Sequence, residues 1–197
     1  MNNDFKLIAH RGYHLKSKEN TLFSFESAIK NNFYGFECDV RETKDGFFAI
    51  FHDSIINGKL FKNVNYKDIK KDVPLLESVL KINTNKIILI EIKDPFININ
   101  NFKKILNKYH NKNIYVMSFY QNVIEKLNDK NKTYKVGILN YILNTNIKQF
   151  KYDFICILNS IINKKIIDFI YNNKQELFIY GIIKKEFIYK WPYYIVD

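Results

Sequence analysis

Four short polar islands interrupt an otherwise apolar, lysine- and asparagine-rich chain: His10-Arg11-Gly12, Glu37-Cys38-Asp39, His52-Asp53 and Glu91-Ile92-Lys93. Each closes a hydrophobic run, as if strands delivered their last residues to one rim. Two histidines, three carboxylates and an arginine suit metal-assisted chemistry on a phosphate ester. Imidazoles carry protons near neutral pH, carboxylate oxygens hold a hard cation, and a guanidinium grips phosphate with a planar fork of donors. Arg11 is one of only two arginines in the chain.

Side chains two apart on a strand share a face. Glu37 and Asp39 therefore face together with Cys38 opposite, and Glu91 and Lys93 share a face while Ile92 takes the apolar side. Three converging carboxylates raise one another's proton affinity, and a bound Mg²⁺ or Ca²⁺ is the simplest way to keep them ionised. A zinc-like Cys/His cluster is lacking. Glu91 and Lys93 could equally form an internal ion pair. His14 and His110 read as loop or surface residues. Glu19-Asn20-Thr21 reads as a helix entry, with Asn20 or Thr21 as cap, and also as a site loop.

The elements that must position these islands alternate. The pattern predicts strands over Phe5–His10, Gly35–Val40, Phe47–His52, Lys86–Ile92, Ile114–Phe119, Tyr134–Leu139, Phe154–Leu158, Leu177–Ile182 and Tyr193–Val196. Helices are expected at Leu22–Asn31 (apolar face Leu22, Phe25, Ala28, Ile29), Leu75–Lys81, Phe102–His110 and Asn122–Asp129, with helices or loops at Asn146–Lys151 and Asn163–Asn173. Ser54–Asp72 is polar and weakly patterned. Alternation of this kind implies one domain, residues 1–197, with a parallel sheet and a polar rim at the strand C-terminal ends.

The pieces Leu7-Ile8-Ala9-His10-Arg11-Gly12, Glu19-Asn20-Thr21, Phe36-Glu37-Cys38-Asp39-Val40, Thr43-Lys44-Asp45-Gly46, His52-Asp53, Val73-Pro74-Leu75-Leu76-Glu77-Ser78-Val79-Leu80, Ile90-Glu91-Ile92-Lys93 and Ser118-Phe119 resemble, in order and spacing, the glycerophosphodiester phosphodiesterase family. The resemblance implies an α/β fold, a compact (β/α)₈ TIM barrel, and cleavage of a glycerophosphodiester to glycerol 3-phosphate and an alcohol. It implies Glu37, Asp39 and Glu91 as ligands of a divalent cation, Mg²⁺ or Ca²⁺, with His10 and His52 as the acid–base pair. Arg11, Lys93 and Tyr180 are implied as substrate contacts. Tyr180, within Phe178-Ile179-Tyr180-Gly181, stands where the family has a tryptophan-centred segment, whereas Trp191 falls in the following connection. Val196-Asp197 matches the family's Thr-Asp. With 197 residues against about 250 for a typical barrel, shortening is expected after His52, in the late helices and after the eighth strand.

The formal charge of +11 favours anionic small-molecule substrates, and transient contact with anionic membranes is expected. Basic runs with interleaved aromatics, the mark of a nucleic-acid partner, are missing. A bilayer-spanning apolar stretch is missing too. Expectations are also a cytoplasmic location, no signal peptide and no disulfide between Cys38 and Cys156. Two rival readings remain: a lysophospholipase D-type enzyme at a membrane surface, and a catalytically weak domain that binds phosphorylated metabolites. Oligomeric state carries no readable signal.

Overall fold

The computed structural model describes residues 5–141, 152–182 and 189–197. Eight parallel strands close into a barrel: β1 (Lys6–Ala9), β2 (Gly35–Glu42), β6 (Ile87–Ile92), β7 (Ile114–Ser118), β8 (Lys135–Asn140), β9 (Phe154–Leu158), β10 (Glu176–Tyr180) and β11 (Tyr193–Val196). The ring closes because β1 pairs in parallel on both sides, Ile8 with Gly35 of β2 and with Ile195 of β11. Helices α1 (Leu22–Lys30), α2 (Leu76–Leu80), α3 (Ile99–Lys108), α4 (Gln121–Leu127) and α5 (Lys164–Asn172) lie in the connections. This is the expected (β/α)₈ architecture.

Strand alternation sorts the apolar residues into two layers. Phe36, Cys38, Val40, Ile88, Ile90 and Ile92 face outward into one cluster with helical residues such as Phe25, Ala28, Phe102 and Leu106. Ile8, Leu89, Met117, Leu139, Phe154, Cys156, Phe178 and Ile195 form a second cluster of strand residues alone, which is the barrel interior. Cys38 and Cys156 therefore belong to different layers, and both are free thiols. Below that apolar plug, Lys135 Nζ bonds Glu176 Oε2 at 2.8 Å and Tyr115 Oη at 2.8 Å.

Sequence and structure differ at several elements. The expected strand over Phe47–His52 is β3 (Phe48–Ile50), which runs antiparallel to β2 outside the ring, pairing Ile50 with Val40. Its apolar alternation resembles that of a barrel strand, but the tight turn Thr43–Phe47, closed by Thr43 N to Phe47 O at 2.8 Å, reverses the chain. Helix α3 begins earlier than expected, because the Asn98 side chain accepts from Asn101 N and caps it. Of the expected apolar face of α1, Phe25 and Ala28 are buried and Ile29 is half-buried, whereas Leu22 is exposed at the first turn. The connection after His52 is more organised than its sequence suggests. It contains a hairpin of β4 (Ile55–Ile56) and β5 (Lys59–Leu60), and Ile56, Phe61, Val64, Ile69 and Val73 form a small core with Ala49. The expected element at Asn146–Lys151 lies outside the described residues.

Close strand approach depends on Gly35. A Cβ there would meet the Ile87 carbonyl oxygen at 2.3 Å, a backbone atom that cannot move without breaking the β2–β6 ladder. Gly35→Ala is expected to destabilise the fold by about 2 kcal/mol, the usual scale of overpacking. Urea denaturation measures this; an unchanged midpoint would show that the two strands can separate locally.

Candidate active site

The charged residues gather at the C-terminal end of the ring because the inward positions of adjacent strands stay in register. Asp39 of β2 pairs directly with Glu91 of β6, and Glu37 lies two residues before Asp39 on the same inward face. All three carboxylates are buried, and one oxygen from each lies within 4.8 Å of the others. Like charges opposite one another across strands are destabilising, so this arrangement needs counter-charges or a cation.

Part of that compensation comes from the protein. Asp39 accepts a hydrogen bond from Asn20 Nδ2 at 2.8 Å and forms ion pairs with Arg11 Nε and Lys93 Nζ, each at 3.3 Å. Lys93 Nζ also bonds Glu91 Oε1 at 2.7 Å. The ion-pair reading of Glu91 and Lys93 is therefore realised within the acidic cluster. Glu37 is less well served: Oε2 accepts from Arg11 N–H at 3.0 Å, while Oε1 is buried with no hydrogen-bond partner. Burial, then repulsion from Asp39 and Glu91, pushes the Glu37 proton affinity well above the ordinary carboxyl range; Glu91 is raised mainly by burial. Desolvation alone would lower Lys93, but Glu91 and Asp39 outweigh it and hold its ammonium charged. An orphaned buried carboxylate oxygen beside two further carboxylates is a donor set that fits a hard divalent cation.

The loop after β1 is built around Arg11. Its φ is +53°, a left-handed conformation uncommon for a side-chain-bearing residue, and it aims the N–H at Glu37. Arg11 Nη1 is tied to Glu19 at 2.7 Å. Gly12, φ +79°, presses so closely on the start of α1 that a Cβ would meet Ser24 Oγ at 2.5 Å. Thr21 caps α1 in a reciprocal pair with Ser24, while Asn20 turns inward to Asp39. Both readings of Glu19-Asn20-Thr21 hold, on different residues.

The two histidines stand at the rim in matching settings. His10 Nδ1 lies 2.6 Å from Asp197 Oδ1, and His52 Nδ1 lies 2.8 Å from Asp53 Oδ1. The His52 hydrogen bond is the main cause of the lowered Asp53 carboxyl. An ionised carboxylate only accepts, so each Nδ1 carries the proton and each Nε2 is left for another partner. A cavity of about 150 Å³ is lined by His10, Arg11, Glu37, His52, Glu91, Lys93 and Tyr180, with Phe119 and Tyr141 completing an aromatic side. Rings of Phe119 and Tyr141 stack at 4.4 Å. His14 bonds the Gly12 carbonyl at 2.8 Å, and His110 is exposed in the connection after α3.

Sequence reading missed Arg41. Its Nε and Nη2 both donate to the His52 carbonyl, at 3.0 and 2.9 Å, while Nη1 bonds Asp94 Oδ1 at 2.7 Å. Asp94 Oδ2 also accepts from Glu42 N–H at 2.9 Å. This clamp fastens the His52 segment to β2 and to the segment that carries Lys93. Its rarity was the available signal, since Arg41 is the other of the two arginines.

Barrel and rim together define a (β/α)₈ protein with a buried acidic centre flanked by paired histidines. The model of the glycerophosphoryl diester phosphodiesterase family matches residues 10–147, and the chain belongs to that family. A glycerophosphodiester phosphodiesterase of Bacillus altitudinis is 34% identical over 111 residues, 45% of each chain, so the matched segment spans less than half of that relative's length. An uncharacterized protein of Mycoplasma genitalium is 30% identical over 167 residues, 71% of this chain and 68% of its own. The fold is shared with a glycerophosphodiester phosphodiesterase of Parabacteroides distasonis, TM-score 0.83 at 21% identity, covering 98% of this chain and 93% of that one. It is also shared with a phosphodiesterase of Oleispira antarctica solved in complex with its product sn-glycerol-3-phosphate, TM-score 0.81 at 17% identity, covering 91% and 85%.

Because the fold raises the Glu37 carboxyl, it favours the protonated form. The associated stability is present below the ordinary value of 4.5 and is lost as pH climbs from there through the raised folded value. In chelator, Glu37→Gln is therefore expected to gain melting temperature relative to wild type at pH 8 and to lose that advantage near pH 5. Thermal melts at both pH values test this; a difference independent of pH would show that Glu37 titrates normally.

Proposed function

We propose that this protein is a phosphoric diester hydrolase that cleaves glycerophosphodiesters to glycerol 3-phosphate and an alcohol in the presence of a divalent cation. The observation that carries the reading is the buried Glu37, Asp39 and Glu91 cluster, with the orphaned Glu37 oxygen, opening onto the cavity that His10 and His52 line. Family membership supports the reaction class, and the glycerol 3-phosphate complex of the Oleispira antarctica phosphodiesterase supports the product.

In this reading Glu37, Asp39 and Glu91 hold Mg²⁺ or Ca²⁺. A bound cation supplies charge neutralisation at the non-bridging phosphate oxygens. Arg11, braced by Glu19 and Asp39, adds guanidinium donors to the same phosphate. Lys93 offsets the carboxylates and places its ammonium beside the phosphate. One histidine takes the nucleophile's proton at Nε2, and the other gives a proton to the departing alkoxide. Asp197 and Asp53 hold the rings and fix which nitrogen faces the phosphate. Tyr180, with Phe119 and Tyr141, forms the apolar wall against which the carbon skeleton of the diester packs.

Release of glycerol 3-phosphate from a panel of glycerophosphodiesters, in chelator and after Mg²⁺ or Ca²⁺ is restored, tests the reading. Cation-dependent release is expected, and none from any diester by folded protein would refute it. His10→Ala and His52→Ala are each expected to lower kcat by about 100-fold or more without loss of fold. Near-normal turnover in either variant would remove that histidine from the mechanism.

Arg41 acts one step away, by holding His52 in place. Arg41→Lys keeps the charge but cannot reproduce the two-pronged contact with the His52 carbonyl. We expect kcat to fall about tenfold with KM nearly unchanged, since a small misplacement of an acid–base group acts on the chemical step rather than on binding. A rise in KM with unaltered kcat would instead assign Arg41 to substrate binding.

A further inference from the structure

Large apolar side chains left in water are ordinary when scattered evenly; here they are not. Among the described residues, all but two of the exposed large hydrophobics lie on segments at the C-terminal end of the barrel, the end that bears the acidic centre. The two exceptions, Tyr34 and Tyr171, lie at the opposite end. The loops that carry site residues also raise apolar tips. Leu15, 74% exposed, follows His10 and Arg11; Phe96, 92% exposed, follows Glu91 and Lys93.

The segment after His52 contributes a pair. Ile55 and Leu60 are register partners across the β4–β5 hairpin, so both side chains stand on one face of that ribbon, and both are exposed. Lys44 N to Val64 O at 3.0 Å and Tyr66 N to Asp45 Oδ1 at 2.9 Å fasten the segment to the turn above β2. Exposed lysines bracket two of the tips: Lys16 and Lys18 beside Leu15, Lys59 and Lys62 around Leu60. The whole chain carries +11.

We propose that this face docks on a phospholipid bilayer containing anionic lipid, with Leu15, Ile55, Leu60 and Phe96 entering the headgroup boundary and the lysines meeting lipid phosphates. Separate apolar tips on different loops suit a fluid surface that yields around each of them. A protein partner needs a continuous relief to match, and the cavity that His10 and His52 line at this end belongs to the acidic centre. The exposed lysines beside Leu15 and around Leu60 supply the charge match with anionic headgroups. The proposal goes beyond the hydrolytic reading and stands without it, since it rests on barrel topology, exposure and charge.

Flotation of the full chain with phosphatidylcholine vesicles, with and without phosphatidylglycerol, tests the docking. Binding to the phosphatidylglycerol vesicles is expected, weakening with salt, and the double variant Leu15→Asp/Phe96→Asp should bind about tenfold less or worse. Tyr171→Ser at the opposite end should bind like wild type. Thermal melting confirms that the variants fold, which their exposed positions favour. Failure of the wild type to float with either vesicle, or equal flotation of the double variant, would overturn the proposal. Sedimentation velocity supplies the other arm: a concentration-dependent dimer abolished by the same two substitutions would assign the face to a second copy of the chain.

Discussion

Mutual repulsion among Glu37, Asp39 and Glu91, all withdrawn from water, is the constraint on which the upper half of this molecule depends. An open sheet could relieve it by sliding one strand past another. A closed ring cannot, because β2 is held by β1 on one side and β6 on the other, and any slip would carry an apolar interior residue out of the core. Closure thus converts burial energy spread over the whole barrel into a local arrangement that no isolated pair of strands could sustain. Asn20, Arg11 and Lys93 are arranged around the same repulsion, and the left-handed backbone of Arg11 is tolerated because its N–H meets a Glu37 oxygen.

The interior is graded along the barrel axis. Lys135, Tyr115 and Glu176 tie the lower end, an aliphatic and aromatic plug fills the middle, and the acidic centre opens at the top. The plug lies between the carboxylates and the lower end, and above them opens the cavity lined by the histidines and the aromatic wall. The carboxylate cluster and both rim histidines sit at the end where loops rather than backbone ladders determine shape.

Much of this was legible in the chain. Period-two spacing put Glu37 with Asp39 and Glu91 with Lys93, and strands ending in polar islands announced the rim. What escaped notice did so for physical reasons. β3 carries the same alternation as a barrel strand, and only hydrogen bonding across the Thr43–Phe47 turn decides its direction. Ile56, Phe61, Val64, Ile69 and Val73 obey no period, so the small core after His52 left no signal until folded. Arg41 with Asp94, and His10 with Asp197, are partners separated by long stretches of chain, and contacts at that range belong to the closed barrel rather than to any local pattern.

His10 follows a strand of the ring, whereas His52 follows β3, which hangs on the outside of β2 and, among the described residues, has beyond it a single bridge from Ala49 to Leu75. The two histidines therefore have different mechanical owners. One inherits the rigidity of the barrel; the other leads from β3, whose Phe48 and Ile50 pack in the main core, into an appended flap that has a small core of its own and is anchored by the Arg41 guanidinium and by bonds to the turn above β2. A change confined to the flap would shift His52 relative to His10 while the carboxylates, held by the β2–β6 pairing, keep their places in the ring.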